Sequence, residues 1–257
     1  MLVCPVDSAT LSHSESAAMA RIVDLLQRVP PDAQVPNSEW TAHDVAAHLV
    51  TMAGRYLTAD RKLASSQREL REMNQREIEE FTSSTMGELI GRLRSRNAKY
   101  AAFWNEQPLD LTFPYRVGFP LDAGTLRSNW IAELLIHGRD VATATGEQWR
   151  LDATSSLLTL RVLAHVLPHY LTAAGVADAT LAVSPEGGAA FSIVVKDGGT
   201  TIQPGAAAGA DTLAGSPEAL VLLLYGRISF AEAQAMGVDV TGDQGEVQRL
   251  LDRLDKP

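Results

Sequence analysis

The residues with the clearest potential for chemistry are Glu133 and His137, which are four positions apart. The apolar spacing over residues 125–145 predicts a helix, and residues four apart on a helix project from the same face. Leu134 and Val141 direct this face toward the protein interior. A carboxylate on an interior face is costly unless it is paired or bound to a metal ion.

A second inward-facing histidine is predicted on another helix. His48 lies among Val45, Leu49 and Met52 in a helix predicted to start at Thr41. Two imidazoles and one carboxylate suit zinc or another divalent transition metal, with zinc favoured. Helix bundles often build metal sites from inward residues on facing helices. Three protein ligands leave one coordination position open, as in catalytic zinc sites.

The spacing alone also permits a simpler arrangement. Glu133 and His137 can form a hydrogen-bonded pair while His48 is satisfied elsewhere in the core. A second histidine pair, His165 and His169, is also four residues apart but lacks a third ligand. We therefore interpret that pair as partly exposed helical residues.

The first half of the chain is predicted to be helical, with helices that position these side chains. Besides the two helices above, apolar patterns predict one over Ser16–Val29 and a polar one over Lys62–Phe81. A further helix starts at a capping box formed by Thr85 and Glu88. Prolines and a glycine between residues 108 and 120 predict a loop with a short hairpin. Gly146 is expected to end the last helix of this half.

The second half changes character near residue 150. A bridging helix over Thr154–Ala174 precedes short β-type runs and two further helices. The predicted strands cover residues 180–183, 191–195, 200–203 and 237–240. The pattern therefore predicts a helical bundle over 1–150 and a smaller α+β module over 151–257.

Composition and charge exclude several functional classes. The 257 residues are 46% hydrophobic, which is enough for a sizeable core, and the net charge of −9 disfavours nucleic acid. No segment approaches the roughly 20 apolar residues of a membrane helix, and the first residues lack a signal-peptide pattern. The single cysteine, Cys4, is expected in a frayed terminus and fits a reducing cytoplasm. We expect a cytoplasmic monomer or dimer without nucleic-acid or membrane partners.

Two segments resemble a known family. The run Trp40-Thr41-Ala42-His43-Asp44-Val45-Ala46-Ala47-His48-Leu49 resembles the first metal-ligand helix of the mycothiol-dependent maleylpyruvate isomerase family. The run Glu133-Leu134-Leu135-Ile136-His137-Gly138-Arg139-Asp140-Val141-Ala142 is similar to its second metal motif. The resemblance implies a DinB-like four-helix bundle followed by a module that resembles sterol-carrier domains.

The resemblance also implies roles for individual residues. His48, Glu133 and His137 would be the metal ligands, and Asp140 would order the second motif. Asn74 falls where the family often has asparagine, and we expect both Asn74 and Asp140 at the cofactor site. The segment Leu222-Leu223-Leu224-Tyr225-Gly226-Arg227 resembles the family segment with an active-site arginine. Asp140 as a surface or capping charge, and Arg227 as a cation at a helix end, remain alternatives.

The implied activity is metal-dependent and uses mycothiol or a similar small thiol. The metal would lower the pKa of the thiol, and the thiolate would attack a small electrophilic substrate. Cis–trans isomerisation and S-transfer are both open, and Arg227 would hold a substrate carboxylate.

Candidate residues for the substrate pocket are Tyr56, Tyr115, Arg116 and Trp130, each of which is otherwise plain core or loop. The competing functional class is a non-catalytic protein that binds a small molecule or lipid, with a structural or vestigial metal site.

Overall fold

The computed structural model describes residues 3–55, 57, 63–171 and 177–253. The chain forms two compact units, one over residues 7–150 and one that joins residues 151–257 to the N-terminal segment ending at Val6. That segment is held by the second unit, since the amide of Ala189 donates to the carbonyl of Val3 at 2.6 Å. Cys4 is buried there, so the expectation of a frayed terminus was wrong. Sequence patterns missed this because the segment is too short to show a periodicity.

The first unit contains five described helices and a hairpin. They are α1 (Ser8–Arg28), α2 (Ala42–Arg55), α3 (Gln67–Glu79), α4 (Met86–Asn105), β1 (Thr112–Tyr115), β2 (Phe119–Asp122) and α5 (Ala123–Thr145). Strands β1 and β2 pair antiparallel, which confirms the predicted hairpin. The predicted start of the third helix, Lys62, lies outside the described residues.

Four of these helices form a bundle around an apolar interior. Helix α5 packs against α1 and α2, and α4 packs against α1 and α2, while α3 packs on α2. Fully buried side chains such as Ile22, Leu49, Leu93 and Leu134 come from all four bundle helices. The burial of these faces, rather than helix propensity, provides most of the stability of such helices.

Several predicted helix ends are confirmed at atomic detail. Thr85 and Glu88 form the complete capping box of α4, and Gly146 ends α5 with a left-handed φ of 72°. Helix α1 begins eight residues before its predicted start, because Asp7 caps it by accepting from the amide of Thr10. The first turns of α1 are polar, so the apolar spacing did not reveal them.

The second unit combines helices with one mixed sheet. Its elements are α6 (Ala153–Tyr170), β3 (Ala179–Pro185), β4 (Phe191–Lys196), β5 (Gly199–Pro204), β6 (Asp211–Gly215), α7 (Pro217–Leu224), α8 (Phe230–Ala235), β7 (Asp239–Thr241) and α9 (Gln244–Leu251). The strand order is β5-β4-β3-β6-β7, with β3 and β6 parallel and the other pairs antiparallel. Pro168 lies inside α6, two residues before its end. The predicted end of this helix, Ala174, lies outside the described residues.

Two elements of the second unit escaped sequence analysis. Strand β6 has one large apolar residue, Leu213, and α8 is a six-residue helix. Strand β6 exists because it pairs with β3, which is distant in sequence. None of the described helices is both long enough and apolar enough to cross a membrane.

Close packing of α5 depends on one glycine. A Cβ atom added at Gly138 would lie 2.2 Å from a ring carbon of Trp149. Trp149 is buried, and the guanidinium of Arg21 lies 4.2 Å from its ring centroid. Gly138 therefore admits the indole against the helix that contains Glu133 and His137.

We expect Gly138→Ala to lower the free energy of unfolding by about 1–3 kcal/mol, because overpacking outweighs the better helix propensity of alanine. Urea denaturation measures the change. Gly91→Ala in α4 is the matched control, since no atom lies within 4 Å of its added Cβ. That control should gain up to about 1 kcal/mol. Equal effects at the two positions would contradict the packing argument.

A buried ionisable group lies between α1 and α5. Glu15 and Arg127 are both almost fully buried, with the nearest nitrogen and oxygen 3.7 Å apart. Burial raises the pKa of Glu15 from 4.5 to about 7, although Arg127 partly opposes this shift. Since 3.7 Å is too long for a good hydrogen bond, the ion pair compensates the desolvation of the carboxylate incompletely.

The raised pKa predicts a pH dependence of stability. The native state binds a proton between about pH 4.5 and 7 that the unfolded chain does not. The stability contribution of Glu15 is therefore complete below pH 4.5 and is lost as the pH rises through 7. Relative to Glu15→Gln, the wild type should lose about 2–3 kcal/mol of unfolding free energy between pH 5 and 8. Denaturant titrations at each pH measure this, and a constant difference between the two proteins would contradict it.

Candidate metal centre

The three candidate ligands lie on two helices of the bundle. Helix α2 provides His48, and α5 provides Glu133 and His137 one turn apart. His48 is 4% exposed and Glu133 is 9% exposed, so the predicted inward orientation of both is confirmed. Thr41 and Asp44 fix the start of α2, because the Thr41 amide donates to the Asp44 carboxylate at 2.8 Å.

The donor atoms of these side chains converge on one point. Oε2 of Glu133 lies 3.6 Å from Nε2 of His48 and 3.3 Å from Nε2 of His137. One ligand atom from each of the three residues lies within 4.8 Å of the others. Within the described part of the chain, this is the one group of at least three acidic, histidine or cysteine side chains that is arranged to hold an ion.

The separations favour a metal site over a simple hydrogen-bonded pair. A hydrogen bond between nitrogen and oxygen is usually about 2.7–3.2 Å long, which is shorter than both separations. Two atoms bound to zinc at about 2.0–2.2 Å in a tetrahedral arrangement lie about 3.3–3.6 Å apart. Nδ1 of His48 is buried without a hydrogen-bond partner, whereas Nδ1 of His137 faces the carboxylate of Asp140 at 3.4 Å. The donor set therefore fits a divalent cation in type and spacing.

An indole ring covers the two imidazoles. The ring centroid of Trp40 lies 4.9 Å from that of His48 and 5.9 Å from that of His137. The imidazole centroids themselves are 5.0 Å apart in an edge-to-face arrangement. Trp40 is the first residue of the run that resembles the family's first metal-ligand helix, but no local spacing predicts its contact with the imidazoles. Its position over the cluster limits the orientations of both rings.

Arg116 is a cation in direct contact with the cluster and comes from the turn between β1 and β2. Its Nη2 donates to Oε1 of Glu133 in a short contact. Arg116 was predicted as a possible pocket residue, without a link to Glu133. The hairpin returns it to α5, 17 residues away in sequence, and no local spacing reveals such a contact.

The charges of the cluster depend on these neighbours. Burial alone would raise the pKa of Glu133, but Arg116 and the two imidazoles hold it well below its usual range. Burial lowers the pKa of His48 to about 4, so its ring is neutral near pH 7. Burial opposes charge on His137 as well, yet Asp140 and Glu133 raise its pKa to about 9. A metal ion bound at Nε2 of His137 would displace the proton from that nitrogen and leave the one on Nδ1, which faces Asp140.

Asp140 lies beside His137, one helical turn further along α5. Its carboxylate oxygen is 3.4 Å from Nδ1 of His137, and its side chain is only 11% exposed. Most of its side chain is therefore buried, which disfavours the alternative of a surface charge. A carboxylate behind a metal-binding imidazole fixes the ring orientation and makes the ring a better ligand.

Asn74 takes part in a separate polar network. Its Oδ1 accepts from Nη2 of Arg55 at 2.8 Å, and the same nitrogen donates to Glu77 at 2.6 Å. Arg55 lies on α2, seven residues after His48, and its charge contributes to the low pKa of that histidine. Contact between Asn74 and a thiol remains a prediction.

The other candidate residues have different outcomes. Arg227 belongs to the second unit, where its Nη1 donates to the carbonyl of Tyr225 at 2.8 Å, and its catalytic role remains a prediction. Tyr115 and Trp130 are buried, and each bonds an asparagine side chain, so both are core residues. Tyr56 lies outside the described residues.

Comparison with known protein families places this geometry in context. Residues 12–142 match the mycothiol maleylpyruvate isomerase N-terminal domain, and residues 157–249 match the MDMPI C-terminal domain. The chain belongs to the mycothiol maleylpyruvate isomerase family. The N-terminal match contains all three candidate metal ligands of this family member, together with Trp40 and Arg116.

Solved structures share the fold of this member of the mycothiol maleylpyruvate isomerase family. The crystal structure of the mycothiol-dependent maleylpyruvate isomerase matches with a TM-score of 0.60 and 16% identity, over 92% of this chain and 93% of that chain. A histidine-to-alanine mutant of that enzyme matches over the same shares, with a TM-score of 0.58 and 16% identity. At this identity the likeness establishes the fold alone. No curated protein matches the chain in sequence.

Proposed function

We propose that this protein is a metal-dependent enzyme that uses a small thiol such as mycothiol to modify a small electrophilic molecule, as an isomerase or an S-transferase. Family membership supports the use of a thiol, since residues 12–142 match the N-terminal domain of the mycothiol maleylpyruvate isomerase family. The single observation that carries the proposal is the convergence of Glu133 Oε2 with the Nε2 atoms of His48 and His137 in the bundle interior.

The donor set suits a divalent cation of borderline softness, with zinc favoured. Such a cation, with a coordination position open to an external ligand, lowers the pKa of a bound thiol. Glu133 provides the negative charge, and Arg116 keeps that carboxylate ionised within the bundle. Trp40 packs over both imidazoles and Asp140 lies behind one of them, so their rings are oriented before any ligand arrives.

The chain's own cysteine is poorly suited to act as the nucleophile. Cys4 is the single cysteine of the sequence and is buried in the second unit. Burial raises the pKa of its thiol, which lowers the thiolate fraction at neutral pH. A thiol-dependent reaction at the metal centre therefore requires a thiol from outside the chain.

We assign further roles to Arg227 and Asn74 within this proposal. The planar guanidinium of Arg227 suits a substrate carboxylate. Asn74 has an amide that can contact the polar part of the thiol. The two candidate activities differ in their products, because isomerisation leaves the substrate mass unchanged whereas S-transfer adds the mass of the thiol.

We expect the purified protein to contain about one divalent metal ion per chain, because one three-donor cluster is present among the described residues. His48→Ala should lose most of this metal, as measured by inductively coupled plasma mass spectrometry. His43→Ala is the matched control, since that histidine is also on α2 but bonds the carbonyl of Ser84 at 2.8 Å. Equal metal content in the two variants would contradict the assignment.

We expect the metal-loaded protein to convert at least one member of a panel of cis-alkenyl keto acids and other small electrophiles only when mycothiol is present. Mass spectrometry detects a thiol adduct, and nuclear magnetic resonance detects a change of alkene geometry. His48→Ala should lose the conversion, whereas His43→Ala should keep it. Binding of panel members without any thiol-dependent change would favour a non-catalytic binding protein.

A further inference from the structure

The two carboxylate oxygens of Glu133 have different partners. Oε2 faces Nε2 of His48 at 3.6 Å and Nε2 of His137 at 3.3 Å. Oε1 instead accepts from the guanidinium of Arg116. A carboxylate can bind a metal ion through one oxygen or through both, and Arg116 occupies one of the two.

The turn that presents Arg116 is fixed to the same helix as Glu133. Tyr115 is buried, and its hydroxyl donates to the side chain of Asn129 on α5 at 2.7 Å. Asn129 lies four residues before Glu133, so the anchor and the carboxylate are one turn apart on that helix. The Arg116 guanidinium also lies 5.0 Å from the centroid of the Tyr115 ring. These contacts fix the approach of the arginine toward Oε1.

Backbone strain accompanies this placement. Arg116 has a φ of 34°, which is unfavourable for a residue with a side chain. Such a conformation is unfavourable and persists only where the surrounding structure requires it. The strain therefore falls on the residue whose side chain bonds the buried carboxylate.

We propose that Arg116 is a positioning residue that limits Glu133 to a single oxygen ligand, Oε2. This inference rests on the proposed metal site and adds to it the way in which the coordination number is controlled. With Oε1 occupied, the chain provides two nitrogens and one oxygen to the ion. In a four-coordinate site the fourth position then stays open for an exogenous ligand. A second carboxylate oxygen from Glu133 would fill that position.

Cobalt(II) tests this inference, because its visible absorption weakens as the coordination number rises above four. The wild type, Arg116→Met and Arg116→Lys are compared with Arg94→Met, a matched control at an exposed position of α4. Methionine and lysine, like arginine, have a Cβ atom, so the positive φ at position 116 is equally unfavourable in both variants and in the wild type. Each metal-free protein is titrated to saturation with cobalt, and circular dichroism verifies its fold.

The expected result is a fall of about half or more in cobalt absorption for Arg116→Met, since Glu133 then binds through both oxygens. Arg116→Lys should restore part of the intensity, because an ammonium still bonds Oε1 but lacks the planar fork. Arg94→Met should match the wild type. A purely structural role of Arg116 would change stability without this pattern.

The outcomes separate this inference from the proposed function. A wild type that binds no cobalt would overturn the metal site and the role of Arg116 together. A wild type that binds cobalt, with an unchanged spectrum in both Arg116 variants, would overturn only the positioning role. If Arg116→Met does not fold, Arg116→Lys decides, because its spectrum at wild-type intensity would also overturn the inference.

Discussion

The burial of the Glu133 carboxylate is the constraint on which the rest of the first unit depends. An ionised carboxylate in a helix-bundle interior costs several kcal/mol unless charged and polar partners surround it. Glu133 has Arg116 at one oxygen and two imidazoles at the other. Arg116 comes from the hairpin, His48 from α2 and His137 from the next turn of α5. The bundle and the hairpin must therefore form together for the cluster to exist.

Helix α5 is the element that brings these parts together. It packs against α1, α2 and the hairpin, and nearly all of its central residues are buried. Gly138 lets the Trp149 indole pack directly against the helix beside His137. Such close packing limits small shifts of the helix, because interiors are packed as densely as organic crystals. A metal cluster needs that rigidity, since ligands must be held within about 0.5 Å of the productive geometry.

Membership of the mycothiol maleylpyruvate isomerase family and the local chemistry contribute different information. The family models over residues 12–142 and 157–249, and the shared fold at 16% identity, describe the fold of most of the chain. The candidate metal centre is instead defined by distances between named atoms of the first unit, which belong to this chain independently of its relatives. Trp40 and Arg116 belong to this second kind of evidence. Their roles at the cluster follow from contacts with the candidate ligands, which no motif specifies.

Local patterns were enough to predict much of the fold and the three candidate ligands. Helical spacing predicted the inward faces that contain His48 and Glu133, and the capping residues Thr85 and Gly146 predicted two helix ends. These features depend on neighbours within about one turn, which the sequence displays directly. The family resemblance then selected the metal interpretation over a hydrogen-bonded pair.

The tertiary structure decided what depends on contacts between distant segments. Strand β6 forms by pairing with β3, and the N-terminal segment at Cys4 is held by the second unit. Arg116 reaches Glu133 only because a hairpin folds back onto α5. Pairing across such separations follows from chain topology and packing, neither of which leaves a periodic signal in the residues involved. The sequence by itself therefore determined which side chains face inward, and the fold decided which of them meet and which atom of each is left for a ligand.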